Sequence, residues 1–97
     1  MARLTALETI RALQTLSEVL EYYEEQQKGL GARFLRYYDG QIERLKDMPY
    51  VGRIGRVFGT RELVMQDFPF LVVYRVRKEY LEILNLIHQS KKYPLAH

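Results

Sequence analysis

Phe68-Pro-Phe-Leu-Val-Val-Tyr-Arg-Val76 and Tyr80-Leu-Glu-Ile-Leu-Asn-Leu-Ile-His88, with Arg77-Lys78-Glu79 between them, decide the fold. β-Branched and aromatic residues dominate both runs, and a charged triplet separates them, so residues 70–77 and 80–88 read as antiparallel strands. A third run, residues 61–66, precedes them across Asp67-Phe68-Pro69, which breaks the chain between strands. The three make an antiparallel meander. Leu71-Val72-Val73-Tyr74 and the stretch from Leu81 to Ile87 are apolar on both faces, whereas a half-covered sheet alternates. Either this strand pair is central and buried on both sides, or a partner covers the second face.

Upstream, the hydrophobic period changes once, near the glycines at 52, 55 and 59. From Ile10, the residues Leu13, Leu16 or Val19, Leu20 and Tyr23 recur at three- and four-residue steps, with Arg11, Gln14, Glu18, Glu21 and Glu25 between them. That spacing predicts an amphipathic helix, capped by Thr9 and ended by Gly29 with Gly31. Leu30, Phe34, Tyr38, Ile42 and Leu45 predict a second helix that stops before Met48-Pro49. The two helices form an αα-hairpin. Residues 3–8 fit extra helical turns or a short edge strand, and the strand-rich second half favours the strand. The expected class is α+β: an N-terminal αα-hairpin packed on one face of a small antiparallel sheet.

Ninety-seven residues make one domain, residues 1–97, because a chain this short cannot divide into two cores. There is no cysteine, which excludes disulfides, thiolate nucleophiles and cysteine zinc sites. His88 and His97 are the only histidines, so neither a metal nor a cofactor is expected. The longest uncharged apolar run, residues 68–74, is far short of the roughly 20 residues that cross a bilayer. Charges at Glu8 and Arg11 interrupt any secretory signal, so a cytoplasmic protein is expected. Gly52-Arg-Ile-Gly55-Arg-Val-Phe-Gly59 matches neither GxGxxG nor GxxxxGK[ST] and leads into a strand instead of a helix. Its glycines read as turn residues between the helix pair and the sheet.

Net charge is +3 and unevenly placed. Residues 1–51 hold seven Lys/Arg against eight Asp/Glu, and residues 52–97 hold eight against four. Arg53, Arg56, Arg61, Arg75, Lys91 and Lys92, with Tyr93, are therefore the candidates for recognition of an acidic surface. The plainer reading is a solvated face that keeps a small protein soluble. Metal-free ribonuclease chemistry would need cations to hold phosphorane charge and a group to move protons. Arg61, Arg75 and His88 stand on three consecutive strands and are the candidate trio. A histidine closing an apolar strand is more often a packing residue.

Gly59-Thr-Arg-Glu-Leu-Val-Met65, then the two strand runs, then His88-Gln-Ser-Lys-Lys-Tyr-Pro94 closely resemble the ParE/RelE superfamily of bacterial type II toxins. In the first half, Leu20-Glu-Tyr-Tyr-Glu-Glu25, Gly31-Ala-Arg-Phe-Leu35 and Leu45-Lys-Asp-Met-Pro-Tyr-Val-Gly52 are similar to that family's helical hairpin and its Pro-x-x-Gly exit. The resemblance implies a small α+β toxin that arrests growth and is neutralised by a cognate antitoxin protein. ParE-like members poison DNA gyrase without being enzymes, and RelE-like members cut messenger RNA on the ribosome. The ending resembles the ParE-like His-x-x-Arg-Asp-Pro, with Lys91 for the arginine, no aspartate and the proline one residue later. The net negative first half is also unsuited to docking on ribosomal RNA. The ParE-like reading is favoured, with a ribosome-dependent, metal-independent endoribonuclease as the alternative.

Overall fold

The computed structural model describes residues 3–90. The order is β1 (Thr5–Glu8), α1 (Ile10–Gln26), α2 (Leu30–Asp47), β2 (Arg53–Ile54), β3 (Arg61–Val64), β4 (Phe70–Val76) and β5 (Tyr80–His88). The strands lie side by side in the order β1-β5-β4-β3-β2, with both helices on one face. The fold is α+β, as the sequence implies.

Two edges go beyond the expected antiparallel meander. β1 runs parallel to β5, Thr5 opposite Tyr80 through Glu8 opposite Ile83, so the sheet is mixed. β2 adds a two-residue antiparallel strand at the other edge, Arg53 opposite Glu62 and Ile54 opposite Arg61. It lies inside the segment read above as turns alone.

Thr9 ties the first edge to the helices. Its side-chain oxygen accepts from the Ala12 N–H at 3.0 Å, capping α1, and its hydroxyl donates to the Leu84 carbonyl at 2.9 Å. Its own N–H donates to the Ile83 carbonyl at 3.0 Å. Leu84 is the extra residue where the register between β4 and β5 shifts, which turns these carbonyls toward the cap. This anchor fixes the roll of α1. Ala12, Leu16 and Val19 point into the core, while Ile10 is 75% exposed and Leu13 48%, contrary to the expected face. Alanine at the contact lets the helix axis approach the sheet where a larger side chain would hold it off.

α2 buries Phe34, Tyr38, Ile42 and Leu45, as its spacing predicts. Gly31 does not end α1. It lies inside α2 and is buried against the preceding helix: a Cβ there would stand 2.8 Å from the Leu20 carbonyl oxygen. Gln27 closes α1 and Gly29 leads into α2. The interhelical aromatics continue into the sheet, with Phe34 edge-on to Phe68 at 4.8 Å and to Phe70 at 5.7 Å between ring centroids. Tyr38 donates to the Glu8 carboxylate at 2.7 Å, and burial followed by that bond pushes its phenol well above the usual range.

β4 occupies the middle of the sheet. Phe70, Val72 and Tyr74 join the helix-facing core, while Leu71 and Val73 on the opposite face are also buried. Of the two readings of that doubly apolar strand, the central-strand reading accounts for it. Among the described residues, no helix is long and apolar enough to cross a membrane.

Candidate functional site

The candidate residues divide between three places. Arg61 faces the helix side, opposite Tyr74. It donates to the carbonyls of Gly52 at 2.8 Å and Tyr50 at 3.3 Å, and its guanidinium carbon lies 5.0 Å from the Tyr50 ring centroid. Beneath it the Tyr74 hydroxyl donates to the Pro49 carbonyl at 2.8 Å and accepts from the Gly52 N–H at 3.0 Å. The exit from α2 is thereby pinned to the sheet, and burial raises the Tyr74 phenol despite that N–H bond and the nearby arginines.

Arg53 and Arg56 lie on the opposite face, where Glu62 gathers them. Its carboxylate is 1% exposed and takes the Arg53 guanidinium at 2.9 Å, the Arg56 guanidinium at 3.5 Å and the Arg56 backbone N–H at 3.0 Å. Burial alone would raise this carboxyl. The N–H bond and the two arginines outweigh that, and its pKa falls below the ordinary value. Glu62 therefore pairs with Arg53 and Arg56 across the β2–β3 hairpin, and not with its neighbour Arg61.

Arg75 stands opposite Glu82 on the same face as Glu62. The buried Glu82 Oε1 has the Arg75 and Arg77 guanidinium groups at 3.7 and 3.5 Å, within ion-pairing range, and makes no hydrogen bond. His88 is at the far end of β5, opposite Phe70, whose ring it meets edge-on at 5.1 Å. Its Nδ1 accepts from the Ser90 N–H at 3.1 Å.

Arg61, Arg75 and His88 do not converge. Arg61 and Arg75 point to opposite faces, and the strand pairs holding Arg61 and His88 are four residues apart along β4, roughly 13 Å. The structure brings together a different set: Arg56 and Arg61 line one recess at the β2–β3 hairpin, with Tyr50, Ile54 and Phe58 exposed beside them, and Arg53 joins Arg56 at Glu62. Lys91, Lys92 and Tyr93 lie outside the described residues. The reading from sequence missed Glu62, Tyr50, Ile54 and Phe58. The signal available was Val57-Phe58 standing between two glycines in an otherwise polar turn.

A separate groove of about 590 Å³ opens at the other end of the strands, between α1 and the ends of β4 and β5. Arg11, Glu18, Tyr22, Tyr23, Phe70 and His88 are among its walls. It mixes aromatic with charged side chains.

Comparison with known proteins places this architecture. A solved chain from the chromosomal ParDE TA system of P. aeruginosa superposes with a TM-score of 0.81 at 20% identity, covering 89% of this chain and 96% of its own, which is a likeness of fold. A protein of Sinorhizobium fredii described as the candidate toxin Y4kP is 35% identical over 86 residues, 89% of this chain and 88% of the relative. The family model described as "ParE toxin of type II toxin-antitoxin system, parDE" matches residues 9–93, from the cap of α1 past the end of β5. With two helices on one face of a mixed sheet and a sequence match over nearly its whole length, this chain belongs to the ParE toxin family of type II toxin-antitoxin systems.

Proposed function

We propose that this protein arrests bacterial growth by binding DNA gyrase, without acting as an enzyme, and that a cognate antitoxin neutralises it in the cytoplasm. The observation that carries the reading against messenger RNA cleavage is the separation of Arg61, Arg75 and His88. Two cations on opposite faces and an imidazole roughly 13 Å along the sheet cannot act on one phosphate. His88 instead packs on Phe70 and receives the Ser90 N–H. The groove beside α1 supports a place for the antitoxin, because a segment that folds on binding needs a long concave surface with apolar anchors. The arginines of the sheet half support recognition of an acidic protein surface.

The test is induction of the protein alone in bacteria, followed by a supercoiling assay with purified gyrase and a messenger RNA stability assay. Growth arrest with gyrase inhibition and intact messenger RNA is expected, as is rescue by co-expressed antitoxin. A His88→Gln protein should keep its toxicity. Ribosome-dependent messenger RNA cleavage that disappears in His88→Gln would replace the gyrase reading with the ribonuclease one.

A further inference from the structure

We propose that the β2–β3 hairpin is the surface by which this protein grips its target, and that it fits a folded protein bearing an apolar pocket rimmed by Asp or Glu. Phe58, at its tip, is 98% exposed, with Ile54 at 73% and Tyr50 at 62% beside it. Nothing in the folding of the chain calls for a phenylalanine held wholly in water, since a ring left exposed adds no burial. The tip is nevertheless stiff. The Gly55 N–H donates to the Thr60 carbonyl at 2.8 Å, and the Thr60 N–H and hydroxyl both donate to the Val57 carbonyl. The buried Glu62 takes the Arg56 N–H, and Gly59 supplies the left-handed turn at φ 82°. The backbone that carries Phe58 is thus held in a fixed frame, so little backbone order remains to be lost when the ring docks.

The surroundings specify the partner. A recess of about 580 Å³ beside Phe58 is walled by Tyr50, Ile54, Arg61 and Val76, so the contact is reciprocal: a ring to give and a hollow to receive. Between residues 48 and 62 the charged groups are Arg53, Arg56, Arg61 and Glu62, which leaves the rim positive and complementary to carboxylates. Aromatic and arginine side chains together are the composition of binding hot spots. A projecting ring needs a pocket already formed in its partner, which a folded target offers and a disordered antitoxin segment does not. The antitoxin's groove is at the opposite end of the strands. The assignment rests on the proposed toxin reading for the existence of a target, and not on that target being gyrase.

The experiment compares the parent protein with Phe58→Ala and Phe58→Trp, each induced without antitoxin at matched protein levels. Growth arrest, urea unfolding, affinity for purified cognate antitoxin and anisotropy of a labelled DNA duplex are read in parallel. Phe58→Ala should need roughly tenfold or more protein for the same arrest, with unfolding and antitoxin affinity unchanged, and Phe58→Trp should retain toxicity. Full toxicity of Phe58→Ala overturns the proposal. Antitoxin affinity lost while toxicity is kept overturns it in favour of the antitoxin as occupant, and a matching loss of duplex binding overturns it in favour of nucleic acid. Growth arrest by a parent that leaves gyrase supercoiling untouched would remove gyrase as the target, while the Phe58 comparison would still decide the hairpin.

Discussion

Two connections in this protein use the same device and differ in where they place it. Between the helices, the exposed Glu24 carboxylate accepts from the Gly29 N–H at 2.9 Å and the Gly31 N–H at 3.0 Å. Between β2 and β3, the Glu62 carboxylate accepts from the Arg56 N–H and the Arg53 guanidinium, but at 1% exposure. Each glutamate adds side-chain bonds to a turn that backbone bonds also hold. In water such a bond replaces one to solvent and is worth little. Out of water, the carboxylate must keep every partner, because each lost one leaves a desolvated charge. The helix connection is a cap, and the hairpin is a small ionic core.

Removing Glu62 should therefore have the largest effect. Glu62→Ala is expected to cost about 3 kcal/mol in urea unfolding, with its exposed arginines returning to solvent. A loss no greater than that of Glu24→Ala would show that burial does not separate the two turns. Acid should act in the same direction. Because the folded Glu62 carboxyl sits below its ordinary value of 4.5, its stabilisation is complete above about that pH and fades as pH falls further. Glu62→Gln should lose less stability than the parent over that acid range, measured as the urea midpoint at several pH values.

Gly31→Ala comes next, at about 2 kcal/mol, since the Leu20 carbonyl is backbone and cannot swing aside for a methyl group. An unchanged urea midpoint would mean that the helix connection yields more easily than its geometry implies. Glu24→Ala should cost about 1 kcal/mol, the usual scale of a lost cap.

The smallest effect belongs to an exposed network that resembles neither turn. Arg3 bridges Glu43 and Asp47 at 2.7 Å each, and Lys46 reaches Glu43 at 2.7 Å. Bonds from Lys46 and Arg3 hold the Glu43 carboxyl down at about 2. Its contribution is present above pH 4.5 and lost toward pH 2, and as a solvent-facing group it should vanish in molar salt. Thermal unfolding of Glu43→Gln against the parent at low and high salt checks this. A difference that survives high salt would break the distinction between exposed and buried carboxylates.

These contrasts also explain what the sequence could reveal. The face of α2 was legible because Phe34, Tyr38, Ile42 and Leu45 are large and regularly spaced. The roll of α1 was not, because Ala12 is buried and Ile10 exposed, and size misleads where a cap fastened to a distant strand sets the rotation. The parallel pairing of β1 left no local trace, since its partner is the chain's last described strand. The basic bias of the second half pointed to the arginines, but facing is fixed by pairing register. Arg61 and Arg75 therefore separated, and Glu62 appeared only as one more charge in a strand.

Among the described strands, β1 comes first in the chain and its partner β5 comes last. Thr9 bonds to Leu84, 75 residues later, so at about 5–20 residues per second the ribosome delivers that partner roughly 4–15 s after β1 itself. Until β5 is made, β1 lacks its one neighbour in the described sheet. The groove beside α1, whose walls include Asn85 and His88 of β5, is therefore complete only after that strand has been made.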